Sequence, residues 1–246
     1  INIRRWIGIV AEMEALLSLA SYSYEHPTDP FPQFVEGNGD AVFDGQELGH
    51  PLIAAAKCVR NSVCLDQKTR LLLVSGSNMS GKSTFLRTVG INAVLARAGA
   101  PVRAKSLRMS PLVLGTRIRS MDSLQEGRSN FYTEILRIRK VFELAERAEP
   151  ILYLFDELLE GTNSKDRRIG AEGLLRALIS RNAIGIVSTH DLALTEISES
   201  LGAVVRNQHF QDSVVNGEMR FDYKLRDGVV AKSNALELMR LIGLKV

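Results

Sequence analysis

Two cysteines and a single tryptophan in 246 residues are the scarcest features of this chain. Cys58 and Cys64 are too few for a disulfide framework and lack the second pair that a structural zinc site needs. Both lie in a strand-like stretch and are expected to act as small buried hydrophobes. Nowhere do roughly 18 apolar residues run together, so no segment of the chain is expected to span a membrane. A signal-peptide pattern is missing too, and the first residue is Ile1 rather than Met. The chain therefore reads as a piece of something longer, expected in the cytoplasm. An excess of one charge is also missing. Thirty-one Lys and Arg stand against 28 Asp and Glu, a net +3 that is compatible with nucleic acid without arguing for it. No internal repeat or low-complexity tract occurs. The length suits one large α/β domain or two small ones.

Apolar residues at helical spacing over 3–24 (Ile3, Ile7, Val10, Met13, Leu16, Leu17, Ala20) predict an amphipathic helix whose stripe needs a partner. Pro27, Pro30, Pro32, Gly37 and Gly39 follow, and they read as a linker or surface loop. Short strands are expected at 41–44, 62–65, 70–75, near 102–108 and at 112–118. A helix is expected from about Asn130 to Arg147, stopped by Pro150. Ile151-Leu152-Tyr153-Leu154-Phe155 is a buried strand by its continuous apolar character. Helix 165–181, strand 183–188, helix 191–200, strands near 203–206 and 219–225, and a helix from Ser233 to Ile242 complete the pattern. Alternating apolar strands and helices predict an α/β fold with a mostly parallel central sheet flanked by helices on both faces.

Chemistry concentrates at the ends of these strands. Gly76-Ser77-Asn78-Met79-Ser80-Gly81-Lys82-Ser83-Thr84 follows the run Leu71–Val74 and opens a helix. That strand, the G-x-x-x-x-G-K-[ST] loop and the helix together form a phosphate-binding P-loop: curled backbone N–H groups face one anion, Lys82 adds a cation, and Ser83 offers Mg²⁺ a hydroxyl. The helix N-terminus adds its positive end. The loop predicts binding of a nucleoside triphosphate.

Asp156 and Glu157 end the strand 151–155, at the carboxyl edge where open α/β folds bind ligands. Asp156 is placed to hold Mg²⁺, as in a Walker-B strand, and Glu157 to act as general base or to orient the attacking water. His190, in Val187-Ser188-Thr189-His190-Asp191, ends the next strand and could reach a γ-phosphate; His26 and His209 have no such setting. Around Gly127-Arg128-Ser129-Asn130, Ser129 or Asn130 suits a helix N-cap, with Glu134 in the first turn. The same N–H groups and hydroxyl suit a second phosphate-recognition surface serving another subunit's ATP, and the residues alone leave both readings open. Glu160-Gly161-Thr162-Asn163-Ser164-Lys165-Asp166 forms a loop capped by Asn163 or Ser164, a candidate for coupling two halves of a composite site.

Together these residues resemble the ATPase domain of the MutS family, a branch of the ABC ATPases, from about Gly49 to the C-terminus. Asn78-Met79 within the loop, Asp-Glu-x-x-x-Gly-Thr at 156–162 and Thr189-His190 are the more particular matches; His50-Pro51 resembles the entry to that domain. The resemblance implies a P-loop NTPase of ABC type with ATP and Mg²⁺ as cofactors. Residues 1–40 would be the end of a lever region and a linker, and 41–246 the ATPase domain. Catalysis would fall to Glu157, His190 and Lys82, and metal binding to Ser83 and Asp156. Gly76 through Thr84, with Ser129 and Tyr223, would hold nucleotide. Ser129 would touch the partner's γ-phosphate across a homodimer with composite ATP sites. Cys58, Val59 and Tyr223 would pack against adenine, Tyr223 replacing a histidine.

DNA, mismatched DNA above all, would be gripped by regions outside this chain, with no membrane contact by this piece. An alternative is a DNA-independent switch acting on a protein or membrane partner. The Leu-Ser-Gly-Gly-Gln of transporter ATPases does not occur before the Walker-B strand. The chain also departs from the family's usual pattern, with Leu158-Leu159-Glu160 where Ile-Gly-Arg is common and Asp191 where Tyr or Phe follows Thr-His. Phe34-Val35-Glu36 spells the family's mismatch wedge, but it lies in the Pro-rich segment and reads as coincidence.

Overall fold

A strand made of a continuous apolar run has no solvent-facing side, and such runs occupy the middle of this molecule. The computed structural model describes residues 2–35, 39–118, 130–147, 149–215 and 218–230. β4 (Leu71–Ser75) and β7 (Ile151–Phe155) are buried at every position, as is β8 (Ala183–Thr189). They lie in a six-stranded sheet with β6 (Val113–Arg117), β9 (Val205–Val215) and β10 (Glu218–Asp227), in the order β10-β9-β4-β8-β7-β6. All neighbours pair in parallel except β10 with β9, a hairpin at the edge.

Alternate residues of each strand enter different cores. Leu72, Val74, Leu152, Leu154, Ile184 and Ile186 meet α2 (Lys82–Arg97) through Leu86 and Val89. Leu71, Leu73, Tyr153, Phe155 and Val187 face the other way, onto α3 (Asn130–Ala145) and α4 (Ser164–Ile179). The period-two alternation thus places helices on both faces.

The expectation of one sheet is corrected in part. β1 (Gln33–Phe34), β2 (Phe43–Leu48), β3 (Asn61–Leu65) and β5 (Ser106–Met109) form a second, four-stranded sheet, order β1-β5-β2-β3, antiparallel apart from the β1–β5 pair. Its Phe43, Leu65, Leu107 and Met109 join the core around α2, so that helix is covered on two sides. Part of the Pro-rich segment is therefore ordered pairing rather than a free loop.

The helix expected over 191–200 is two short ones, α5 (Leu192–Thr195) and α6 (Ile197–Leu201). The Asn207 side-chain amide donates to the Thr195 carbonyl at 3.1 Å, and that carbonyl marks the break. β9 and β10 run longer than expected because each extends by pairing with the other. The cysteines are corrected as well: Cys64 is exposed and Cys58 half-buried.

α1 (Asn2–Glu25) contains no buried residue, and its stripe, with Trp6, Ile7 and Leu17 each at least 60% exposed, has no partner among the described residues. Its end is fastened to the body through Asp29, which accepts from Tyr22 at 3.1 Å and pairs with Arg103 at 3.1 Å. Among the described residues no helix is long and apolar enough to cross a membrane. The expected helix 233–242 lies outside the described residues.

Candidate active site

Parallel register carries three strand ends to one edge. Ser75 lies opposite Thr189, and Phe155 opposite Val187, so Gly76, Asp156 and His190 emerge side by side. From β4 the chain turns through Gly76, at φ 149°, where an added Cβ would come within 2.9 Å of the Phe210 carbonyl oxygen. Gly81, at φ 107°, caps α2 without any side-chain hydrogen bond, which leaves the first-turn N–H groups of that helix available. The Ser77 and Ser80 hydroxyls are buried with no hydrogen-bond partner among the described residues.

Lys82 is only 4% exposed, and its ammonium donates to the Gly76 and Ser77 carbonyls at 2.8 and 2.9 Å. Burial lowers its pKa below the usual lysine value, opposed by the Glu157 and Asp156 carboxylates. Glu157 Oε1 is 3.8 Å from Lys82 Nζ, while Glu157 Oε2 is 3.1 Å from His190 Nδ1. One carboxylate therefore joins the loop lysine to the histidine. Glu157 adopts φ 56°, a left-handed conformation that a non-glycine residue keeps only under constraint.

The constraint is visible. Ser188 receives the Glu157 N–H on its hydroxyl (3.1 Å) and its carbonyl (3.2 Å). The same hydroxyl donates to Asp156 Oδ1 at 2.5 Å. Arg117 at the end of β6 donates to the carbonyls of Asp156 and Glu157, and it pairs with Glu134 of α3 at 3.2 Å. Glu134 accepts the Leu159 N–H at 2.8 Å; its burial raises its pKa, an effect Arg117 opposes. From α4, Arg167 donates to the carbonyls of Leu159, Glu160 and Thr162.

Asp156 Oδ2 is buried without a hydrogen-bond partner among the described residues. An ionised oxygen left so is costly unless a cation meets it, so the donor set, Asp156 with the Ser83 hydroxyl, fits Mg²⁺.

Beside the loop opens a cleft of about 380 Å³ whose walls include Val59, Asn78, Lys82, Ser83, Glu157 and Tyr223. That size suits a small-molecule ligand. Tyr223 interrupts β10 at a register shift, at φ 56°, and Asn61 holds it by donating to the Tyr223 carbonyl (2.9 Å) and accepting the Leu225 N–H (2.8 Å). Of the three residues expected near a base, Val59 and Tyr223 line the cleft, whereas the Cys58 sulfur lies against Gly49.

The structure thus assembles Gly76 to Thr84, Asp156, Glu157, His190 and Tyr223. Ser129 and its Gly127-Arg128 neighbours lie outside the described residues. Glu134, expected near a helix start, lies near the start of α3 and is 4% exposed beneath the turn that follows Asp156. Arg117, Arg167, Ser188 and Asn61 had no assigned role. A charged residue at the end of a predicted strand, as Arg117 is at the end of β6, was the one signal pointing to any of them.

The family model of MutS domain V matches residues 72–245. The chain belongs to the MutS family. It is a member through that family's C-terminal ATPase region. Among its relatives, the DNA mismatch repair protein MutS of Staphylococcus saprophyticus is 32% identical across 100% of this chain and 28% of that protein. Endonuclease MutS2 of Thermus thermophilus is 36% identical over 79% of this chain and 25% of that protein. The MutS of Staphylococcus aureus strain JH9 is 31% identical over 96% and 27%. The chain therefore spans little more than a quarter of the curated relatives it matches.

Proposed function

We propose that this chain binds and hydrolyses ATP as the motor domain of a MutS-related protein, a P-loop NTPase of ABC type. The supporting observation is the Lys82–Glu157–His190 chain of contacts, 3.8 and 3.1 Å, beside the unsatisfied oxygen of Asp156. In this reading the loop N–H groups and Lys82 hold the β- and γ-phosphates, and Lys82 exchanges its carbonyl contacts for phosphate oxygens. Ser83 and Asp156 hold Mg²⁺, which neutralises charge on the phosphates. Glu157 orients and deprotonates the attacking water, with His190 Nδ1 fixing its carboxylate. Val59 and Tyr223 flank the base.

Residues 1–40 are the end of a lever and a linker to the motor at 41–246. Two such domains form a homodimer in which Ser129 of one reaches the γ-phosphate bound by the other. ATP then favours the closed pair and hydrolysis releases it, moving arms that grip DNA through parts of the protein outside this chain.

The test is steady-state ATPase activity of the complete protein with heteroduplex DNA, matched DNA and no DNA. Stimulation by heteroduplex supports mismatch binding. Equal rates in all three place the switch with a protein or membrane partner instead, and no hydrolysis at all removes the reading.

A further inference from the structure

Arg167 touches no part of the cleft, yet it reaches both loops that supply the hydrolytic pair. Its side chain, 13% exposed on the first turn of α4, makes four hydrogen bonds through its fork of donors. Nε donates to the Leu159 carbonyl at 3.2 Å, and Nη2 donates to Glu160 at 3.1 Å and Thr162 at 3.2 Å. These three carbonyls belong to the turn that carries Glu157 away from β7. The remaining arm, Nη1, meets Asp191 Oδ2 at 3.3 Å. Asp191 directly follows His190, and its other oxygen caps α5 by accepting the Ala193 N–H at 3.0 Å.

Holding α4 in place does not require this arginine. Asn163 caps the helix, and Ala171, Leu175 and Leu178 anchor its buried face. What needs holding is the turn, because Glu157 and Leu159 both sit at φ 56°, where a side chain is strained. Glu134 grips the turn at the Leu159 N–H, but it makes no bond to the His190 loop among those described. The Arg167–Asp191 arm spans from the turn to the residue beside His190.

We propose that Arg167 is a positioning residue for hydrolysis, paired with Asp191. It locks the turn after Glu157 against the loop after β8, and so sets the Glu157–His190 contact of 3.1 Å. The inference rests on Glu157 and His190 being the hydrolytic pair. A lysine could keep the charge but not the planar fork that serves three carbonyls and a carboxylate together.

The test measures single-turnover hydrolysis and fluorescent-ATP affinity of the complete protein carrying Arg167→Ala, Arg167→Lys or Asp191→Asn, with melting temperature as a folding control. Arg167→Ala is expected to lower the hydrolysis rate by ~10- to 100-fold, as misplacement of a catalytic group does, while ATP affinity changes less than ~3-fold. Arg167→Lys recovers only part of the rate. In a Glu157→Gln background, Arg167→Ala adds little further loss, since both act through one group. An unchanged rate in Arg167→Ala, or equal losses of rate and affinity, overturns the inference. The folded Arg167→Lys variant decides the matter if the alanine variant does not fold. Normal hydrolysis by Glu157→Gln alone would instead overturn the reading of the site.

Discussion

Glu157 is held on two sides by nitrogens: the Lys82 ammonium at 3.8 Å and the His190 imidazole at 3.1 Å. Lys82→Ala should abolish tight ATP binding, read by fluorescent-nucleotide titration. Glu157→Gln should still bind ATP yet hydrolyse it at least ~10²-fold more slowly, the usual scale of a lost acid–base group; normal turnover in this variant would remove Glu157 from its role. Strain accompanies the chemistry, since a left-handed non-glycine residue costs about 1–2 kcal/mol. Leu159, at φ 56°, stands where the family commonly has glycine, and its N–H is secured by Glu134.

Glu134 also gives a pH signature. Burial raises its folded pKa above 4.5, so between 4.5 and the folded value the native chain keeps a proton that the unfolded chain has released. Stability from this group is therefore greatest below 4.5 and falls as pH rises through the folded pKa. The urea midpoint of the native chain relative to Glu134→Gln should decline from pH 4.5 towards neutrality; a relative gain with pH would show that the Arg117 pair dominates instead. Asp156, Glu157, His190 and the loop were legible because they are local strings at strand ends. Arg117, Glu134 and Arg167 act on backbone atoms, from up to 40 positions away for Arg117 and 25 for Glu134. Backbone carbonyls and N–H groups carry no sequence signature.

Among elements, the parallel strands announced themselves through continuous apolar runs, and their packing is tight enough to test. Gly185 lies opposite Tyr153 in the β7–β8 pair, and a Cβ there would come within 2.3 Å of the ring. Gly185→Ala should destabilise the domain by about 1–3 kcal/mol through overpacking, measured by chemical denaturation. Asn163→Ala should cost about 1 kcal/mol, because the Asn163 side chain accepts the Asp166 N–H at 3.0 Å and caps α4. An unchanged midpoint would mean that Ser164 or water takes over the cap. The second sheet was hidden for a different reason. Its strands were visible as short apolar segments, but Phe34 pairs with Met109, far along the chain beyond the phosphate loop and α2, and no local pattern encodes that partner.

At the scale of the molecule, each chain offers one loop, one pair of acids and one histidine, which in the proposed dimer make half of each site. Specific ATPase activity should then rise with protein concentration as dimers form, followed alongside sedimentation velocity. A flat specific activity across a monomer–dimer transition would mean that each chain hydrolyses alone. The sequence by itself determined the family, the phosphate loop, the order of strands and helices around that loop, and the three strand-end groups. Those depend on periodicity and on neighbours in the chain. Tertiary structure alone decided which carboxylate oxygen stays unsatisfied, that Glu157 joins Lys82 to His190, and that buried charges from β6, α3 and α4 hold the turn between them. These depend on distances between segments remote in sequence, fixed only when both cores close around the sheet.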